Sequence, residues 1–270
     1  MKIHHLNCGS ICPLLGGAAV THCLLVETAS SGLVLVDTGL GRAMCENPKQ
    51  GMSLGNRVAL RPRFDVAESA HAQVIRLGYQ VEDVRHVIVT HLDVDHAGGL
   101  PDFPHAHLHV TRAEVHASEL GRDPRYEKRL WAGTWARTTY EPSGERWFGF
   151  VTTGRLAGVH EDLVIVPLPG HTVGHSGVAL RRPDGGWLLH AGDAFLTEDE
   201  LLEPRRVPLR TRLAAWLTSA DWQARSENLE RLRDLVRSAG SQLDVISSHC
   251  IRQYGSRRDA LADSFQIGPR

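Results

Sequence analysis

Short runs of apolar, often β-branched residues recur along the chain between longer segments of mixed polarity. Such runs predict buried strands, here over residues 20–27, 33–37, 84–89, 106–110, 163–167, 187–191 and 243–247. Apolar residues spaced three and four apart, with start and stop signals, predict helices over residues 66–77, 111–120 and 220–238. Most of the candidate chemical residues discussed below follow directly after one of the predicted strands.

Two segments lack a regular pattern. Residues 41–65 carry several glycines and prolines, and a loop of this length often borders a functional site. Residues 121–160 contain scattered aromatic residues, namely Trp131, Trp135, Tyr140, Trp147, Phe148 and Phe150. These rings either line a substrate pocket or form the small core of an insertion, and both interpretations stay open. Because no linker is visible, residues 1–270 are predicted to form one domain whose pocket these two segments border.

Residues 90–99 concentrate histidine and aspartate directly after a predicted buried strand. Alternate residues of an extended chain point the same way, so His91, Asp93 and Asp95 can converge while their neighbours pack into the core. Imidazole and carboxylate are ligands of zinc, iron or manganese, and the segment holds no thiolate, which excludes a cysteine-rich structural site here. We therefore predict a metal site that also includes His96.

The motif in residues 91–96, His-x-Asp-x-Asp-His, resembles the H-x-H-x-D-H signature of the metallo-β-lactamase superfamily, with the second histidine replaced by aspartate. Residues 170–175, Gly-His-Thr-Val-Gly-His, resemble a segment of the N-acyl homoserine lactonase and glyoxalase II branches. The resemblance covers about residues 19–250. It implies an α/β fold, the αββα sandwich of two mixed β-sheets flanked by helices.

The same resemblance assigns roles to residues after the later strands. His171 matches the third metal ligand, Asp193 a carboxylate that bridges two metals, and His249 the last ligand. The implied ligand groups are His91, Asp93 and His171 at one metal, and Asp95, His96 and His249 at the other. Two further residues match supporting positions behind the ligands. Asp37 is one, since metal-bound histidines commonly donate their other N–H to such a carboxylate, and His175 is the other. The alternative for Asp37 is a plain turn or cap residue.

The ligand set implies a binuclear, metal-dependent hydrolase. Two divalent ions about 3.5–4 Å apart can share one hydroxide, which would attack the carbonyl of a small lactone or ester. Zinc is the expected metal, with iron and manganese as alternatives. Asp95 is a candidate catalytic residue, because a carboxylate beside the hydroxide can carry a proton to the leaving group. A phosphoester, a thioester or a β-lactam is an alternative substrate.

Asp93 departs from the pattern of the superfamily. With Asp95 and Asp193 it puts three carboxylates around two dications, leaving a net charge of roughly +1 against about +2 for the usual pattern. We expect Asp93 to be a ligand, since an unpaired carboxylate beside two cations normally coordinates them. The alternative is that Asp93 swings away and only one metal binds firmly. Flavodiiron proteins of the superfamily carry glutamate at this position, so a diiron oxidoreductase is an alternative function, and a metal-binding protein without catalysis is a third.

A second departure follows Asp193. The lactonase branch has a tyrosine shortly after the bridging aspartate, where it helps to hold the substrate carbonyl oxygen. This chain has Ala194-Phe195-Leu196 there. The hydroxyl donor is missing, and we expect Phe195 to offer an apolar wall to the substrate pocket.

Charge and composition limit the classes of binding partner to be expected. The net charge is −1 and basic residues are scattered among acidic ones, so no basic face for nucleic acid is evident. The local cluster of Arg205, Arg206, Arg210 and Arg212 is either a solvated surface or an anchor for an anionic substrate. We expect a small-molecule substrate, no nucleic acid and no membrane partner, with a homodimer left open.

The amino-terminal residues lack the apolar core of a secretory signal, and no later segment approaches the length of a membrane span. Five cysteines are few for a disulfide framework and fit a reducing compartment, so a cytoplasmic location is expected. Cys8 and Cys12 either bind metal or switch redox state, or they are buried thiols in a loop.

Overall fold

The computed structural model describes residues 1–120, 123–131, 136–160, 162–202 and 206–257. Two mixed β-sheets lie at the centre of the fold. The first has the strand order β1-β2-β3-β4-β5-β6, with bounds Lys2–Ile11, Ala19–Glu27, Leu33–Val36, Val84–Ile88, His107–Thr111 and Arg137–Tyr140. Strands β1 to β3 run antiparallel to one another, and β3 to β6 run parallel.

The second sheet follows a short hairpin made by β7, Arg146–Trp147, and β8, Phe150–Val151. Its order is β12-β11-β10-β9, and in chain order its strands are Leu163–Pro167, Ser176–Arg181, Trp187–His190 and Leu243–Ile246. Strands β9, β10 and β11 pair antiparallel, whereas β11 and β12 pair parallel through the crossover that holds the longest helix.

The helices of the described residues are, from α1 to α10, Arg42–Glu46, Pro48–Gly51, Leu54–Leu60, Ala70–Arg76, Val94–Ala97, Arg112–Leu120, Glu198–Leu202, Leu209–Leu217, Trp222–Ala239 and Ile251–Arg257. Short 3₁₀ turns lie at Val66–Glu68, Val81–Asp83, Leu100–Asp102, Lys128–Leu130 and Gly240–Gln242. No helix among the described residues has both the length and the apolar character to cross a bilayer.

Apolar side chains from both sheets meet in one buried layer, to which Val34 of the first sheet and Val178 of the second belong. On the outer face of the second sheet, α9 buries Leu229, Leu232 and Leu235. Helix α4 buries Val74 in the cluster on the outer face of the first sheet. Helices therefore cover both outer faces, and the predicted αββα arrangement is confirmed.

The sequence prediction misses several elements, among them α7, α8 and α10, and two other differences have a clear physical reason. The first is β1, which alternates buried and partly exposed residues. Because the polar residue His4 lies on the buried side, the sequence does not show the alternation of apolar and polar residues that predicts a strand. The second is the predicted loop over 41–65, which contains α1, α2 and α3. These helices are four to seven residues long, and that is too short for a helical period to show.

The cysteines of the described residues are free thiols. Cys8 is buried in β1 rather than in a loop, and Cys12 is exposed just after that strand. The interpretation of both as buried loop thiols is therefore wrong, because the chain leaves the sheet between them.

Candidate metal centre

The candidate ligands lie where strands of the two sheets end at a common edge. The first sheet supplies the 91–96 segment after β4, with Asp37 after β3. The second sheet supplies His171 after β9, Asp193 after β11 and His249 after β12. Loops that follow strand ends leave side chains free of the core, and here they bring together residues far apart in sequence.

Three overlapping groups of side chains have ligand atoms within 4.8 Å of one another: His91, Asp93 and His171; Asp95, His96 and His249; and His91, His96 and Asp193. The first two groups match the two predicted sets. Asp193 lies between them, because its Oδ1 is 3.4 Å from Nε2 of His96 and its Oδ2 is 3.0 Å from Nε2 of His249 and 3.5 Å from Nε2 of His171.

Several of these ligand atoms are buried without a hydrogen-bond partner. They are Nε2 of His91, Nε2 of His96 and one carboxylate oxygen each of Asp93 and Asp193. Buried polar atoms are almost always paired, and leaving them unpaired costs free energy. Divalent cations between the groups would satisfy them, so the donor set fits a metal centre of imidazole and carboxylate ligands.

Asp37 lies behind two of the histidines and is completely buried. Its Oδ2 accepts a hydrogen bond from Nδ1 of His96 at 2.9 Å and from the hydroxyl of Thr90 at 2.8 Å. That hydroxyl lies 2.9 Å from Nδ1 of His91 and can accept from it. Burial alone would raise the pKa of Asp37, but the neighbouring His96 lowers it. Both imidazoles are thus oriented with Nε2 toward the centre.

His175 also supports the centre from behind. Its Nδ1 lies 2.8 Å from the carbonyl of Leu168, and its Nε2 accepts from the backbone N–H of Asp193 at 2.9 Å. Gly192 allows this contact, since a Cβ there would come within 2.6 Å of His175 Nε2 and its φ is +55°. Burial holds the pKa of His175 well below its ordinary value, so the ring is neutral and can accept.

The carboxylates make the centre strongly attractive to cations. Burial would lower the pKa of His249, but Asp193 beside it raises that pKa to about 9. Burial lowers the pKa of His171 to about 4 against the opposing effect of Asp193, which leaves a neutral imidazole available as a ligand. Burial would raise the pKa of Asp193, and His249 and His96 hold it well below its usual range.

Glu114 is a supporting residue that the sequence did not reveal. Its spacing from Thr111 predicts a helix cap, and its backbone N–H does donate to the Thr111 hydroxyl at 3.3 Å. Its buried carboxylate, however, accepts from the backbone N–H of Leu92 at 2.9 Å, from the hydroxyl of Thr172 at 2.6 Å and from the N–H of Gly174 at 3.2 Å. Glu114 therefore joins the loop of His91 to the loop of His171, and only the tertiary structure shows it.

Arg125 is the second residue that the sequence did not reveal. Its Nη1 lies 3.3 Å from Oδ2 of Asp93, and its side chain is 17% exposed. Burial would raise the pKa of Asp93, but Arg125 lowers it well below its ordinary value. Asp93 also faces the histidines of its group, with Oδ2 at 3.1 Å from His171 Nε2 and 3.5 Å from His91 Nε2.

A cavity of about 330 Å³ opens over the centre. Its floor carries Asp93, Asp95, His171, Asp193 and His249. Its walls are mostly apolar and come from the end of β1, from α3 and from α8, with Ile11, Pro13, Ala59, Leu60, Ala214 and Leu217 among them. Residues 41–65 thus border the cavity through α3, and residues 121–160 border it through Asp123, Pro124 and Arg125.

The predicted pocket wall at Phe195 is wrong. Phe195 is completely buried in the apolar cluster under α9, and the cavity is lined by Leu196 instead. The chain turns after Asp193 so that the large ring fills the core, where burial of its apolar surface is most favourable.

Four of the aromatic residues of 121–160 pack into the cores of the protein and do not line the cavity. Trp131 packs in the cluster of the first sheet, Tyr140 between the sheets, and Trp147 and Phe150 against the second sheet. Phe148 is exposed, and Trp135 lies outside the described residues. For the four buried rings neither interpretation holds, because they pack in the clusters of the two sheets and not in a separate core of an insertion.

The described arginines of the cluster do not line the cavity. Arg206, Arg210 and Arg212 are exposed, and none of them lines its walls. Arg205 lies outside the described residues. For the three described arginines the solvated-surface interpretation holds.

Comparison with known proteins agrees with this architecture. The metallo-β-lactamase superfamily matches residues 16–237. A probable metallo-hydrolase of Mycobacterium tuberculosis is 42% identical over 266 residues, covering 96% of this chain and 83% of that protein. The N-acyl homoserine lactonase AttM of Azorhizobium caulinodans is 31% identical over 185 residues, covering 67% of this chain and 64% of that protein.

A solved structure of an N-acyl homoserine lactone hydrolase, with the product N-hexanoyl-L-homoserine bound at its catalytic metal centre, has the same fold. Its TM-score is 0.74 at 22% identity, over 96% of this chain and 97% of that chain. Proteins of this superfamily bind divalent metals, typically zinc. The chain therefore belongs to the metallo-β-lactamase superfamily and is a metal-dependent hydrolase.

Proposed function

We propose that the chain is a binuclear hydrolase that opens small lactones or esters, with zinc as its metal. The observation that carries the proposal is the position of Asp193, whose two oxygens face histidines of both ligand groups. A carboxylate can span two metals through its two oxygens, and an imidazole cannot. Lactonases among the relatives support a lactone as the substrate.

Separate groups of side chains would hold the two metal ions. His91, Asp93 and His171 would hold one ion, Asp95, His96 and His249 the other, and Asp193 both. When bound, two such ions polarise a substrate carbonyl and lower the pKa of a water that they share. The hydrogen bonds described above hold the loops that carry the ligands in place relative to one another. They are made by Asp37, Glu114 and His175.

Asp95 is the proposed proton carrier. It lines the cavity floor and its Oδ2 lies 3.6 Å from His249 Nε2, so its carboxylate is at the centre and within reach of a bound substrate. A carboxylate in this position can take a proton from the attacking water and give it to the leaving oxygen. The apolar cavity walls would hold the acyl part of the substrate and exclude bulk water.

The test compares kcat/KM on a panel of lactones and carboxylic esters for the zinc-loaded wild type, His96→Ala and Asp193→Ala. Both variants are expected to lose more than about 100-fold, because removal of even a supporting group in metal sites commonly costs 10–100-fold. His116→Ala, an exposed residue of α6, is the matched control and should keep wild-type activity. Wild-type turnover in either site variant would refute the proposal.

The panel also includes a phosphoester, a thioester and a β-lactam. Preference for one of them would change the substrate class and keep the roles of the residues. Because Asp93 adds an oxygen ligand, and oxygen ligands shift metal preference toward iron and manganese, metal content is measured first. About two iron ions per chain together with oxygen consumption would favour a diiron oxidoreductase instead.

A further inference from the structure

Arg125 places a guanidinium directly beside the Asp93 group of ligands. Its Nη1 lies 3.3 Å from Asp93 Oδ2 and 3.4 Å from His171 Nε2. The guanidinium therefore contacts two of the three side chains that would hold one metal. A fixed positive charge so close to a cation site is unfavourable unless a negative charge balances it.

The position of Arg125 is fixed by contacts apart from Asp93. Its Nη1 donates to the carbonyl of His171 at 3.1 Å, its Nη2 to the carbonyl of Thr218 at 2.8 Å, and its Nε to Asp123 Oδ2 at 3.0 Å. These bonds hold the planar group in one orientation. The guanidinium is therefore a built part of the centre.

Two carboxylates compete for the charge of Arg125, and their exposure distinguishes them. The Asp123 side chain is 43% exposed and that of Asp93 is 14% exposed. Solvent screens the exposed pair much more than the buried one. The charge of Arg125 therefore acts mainly on Asp93.

The charge count at the centre explains why such a pair is useful. Asp93, Asp95 and Asp193 around two dications leave roughly +1, and the Arg125 guanidinium restores roughly +2. That is the charge the centre would have with a neutral imidazole at position 93 and no arginine. We propose that Arg125 is the charge partner of Asp93, so that carboxylate and guanidinium together take the place of one neutral imidazole.

Arg125 acts through Asp93 and is thus a positioning residue. This inference rests on the proposed function, since it takes Asp93 as a metal ligand. It makes a specific claim about position 93: histidine there should be tolerated only when the arginine is also removed.

The experiment is a double-mutant cycle with metal binding as its readout. Metal-free wild type, Arg125→Gln, Asp93→His and the double variant are titrated with zinc in competition with a chromophoric chelator. The affinity for the more weakly bound ion in Asp93→His should fall at least about tenfold, because the guanidinium is then unbalanced. The double variant should recover to within about threefold of wild type, because the two substitutions change the charge beside the metals in opposite directions.

Two single variants separate the effect of the charge of Arg125 from the effect of its shape. Arg125→Lys keeps the charge and should keep the zinc affinity and the pH profile of kcat/KM. Arg125→Gln should move the rising limb of that profile to higher pH by about one unit, because loss of the positive charge disfavours loss of a proton at the centre. Arg129→Gln, in the same segment with a half-exposed side chain, is the control and should match wild type in both readouts.

Three results would overturn the inference. One is a double variant that binds the more weakly bound ion no more tightly than Asp93→His. Another is Arg125→Lys behaving like Arg125→Gln. The third is a wild type that binds one zinc ion while Arg125→Gln binds two, because Arg125 would then exclude a metal. Failure of the double variant to recover, in a wild type that binds two zinc ions and hydrolyses lactones, would leave the proposed function intact. Absence of turnover together with recovery of the double variant would refute only that function.

Discussion

At the scale of single residues, Asp37 shows how one carboxylate directs two ligands. Three donors converge on its two oxygens, namely the backbone N–H and the hydroxyl of Thr90 and Nδ1 of His96. The Thr90 hydroxyl passes this orientation on to His91. Each imidazole keeps its proton on Nδ1 and presents Nε2 to the centre, which is the tautomer that a metal requires.

Replacement of Asp37 by asparagine tests this arrangement. An amide has one acceptor oxygen, and its NH₂ group would face a donor. We expect zinc affinity to fall about 10–100-fold and the free energy of unfolding of the metal-free protein to fall by about 1–3 kcal/mol. Zinc titration and urea denaturation measure the two effects. Asp162→Asn, with a side chain 67% exposed, is the control, and unchanged zinc affinity in Asp37→Asn would contradict the role assigned to it.

The roles of some residues of the centre can be predicted from the sequence, and those of others cannot. The roles of His91 and Asp93 are predictable because a buried strand precedes them and their spacing brings them to one side. The roles of Arg125 and Glu114 are not, because the contacts that connect them to the ligand segments are with residues at least 22 positions away, as with Leu92 for Glu114. Phe195 was misplaced because the direction of a side chain after a strand end depends on the turn, which the apolar pattern does not encode.

At the scale of elements, the start of α9 fixes the turn that carries His171. The backbone N–H of Ala220 donates to the carbonyl of His171 at 3.0 Å, and that of Asp221 donates to the carbonyl of Gly170 at 2.9 Å. Gly170 is close enough to α9 that an added Cβ would lie 2.4 Å from the backbone of Arg225. The second sheet thus positions a ligand through a helix that packs on its outer face.

Gly170→Ala should separate this turn from α9. Gly170 has a φ of +144°, and the contact is with backbone that cannot rotate away. We expect the free energy of unfolding to fall by about 1–3 kcal/mol. We also expect the number of zinc ions bound per chain to fall toward one, because His171 moves. The control is Gly185→Ala, where φ is +86° but nothing lies within 4 Å of the added Cβ. Equal effects in both variants would show that backbone strain alone, and not contact with α9, is responsible.

The edge of the first sheet carries an acid-sensitive contact. Glu27, at the end of β2, lies 2.6 Å from Nε2 of His4 and 3.4 Å from Nζ of Lys2, both in β1, and accepts from the hydroxyl of Tyr79. Burial would raise its pKa, but Tyr79 and His4 lower it from 4.5 to about 2. Glu27 therefore joins the first two strands to the segment after α4.

The sign of the pH dependence follows from the lowered pKa of Glu27. A carboxylate with a lower pKa in the folded state contributes stability that is present above about pH 4.5 and lost as the pH falls toward 2. The difference in unfolding free energy between wild type and Glu27→Gln should be full at pH 7 and clearly smaller at pH 3. Urea denaturation at both pH values measures it. A difference independent of pH would mean that the ionised form of Glu27 has no role.

At the scale of the whole molecule, the centre joins the two sheets. Histidines and aspartates of the 91–96 segment belong to the first sheet, whereas His171, Asp193 and His249 belong to the second. The fold was predictable because each segment that carries ligands follows a different strand, so the order of the motifs along the chain gives the order of the strands. The shape of the cavity was not predictable, because tertiary contacts place α3 and α8, and the local pattern of apolar and polar residues does not.

A bound metal pair should therefore stabilise the entire fold, since ligands in both sheets must stay together to hold it. A ligand that binds only the folded state adds about 2.7 kcal/mol to stability at 100 times its Kd, so removing metal with a chelator should lower the Tm and the free energy of unfolding together. Thermal and urea unfolding with chelator and with added zinc measure this difference. Asp193→Ala should lose much of the response because Asp193 contacts both groups, while His116→Ala should keep it. A wild type whose unfolding is unaffected by zinc would mean that a metal pair does not strengthen the contact between the two sheets.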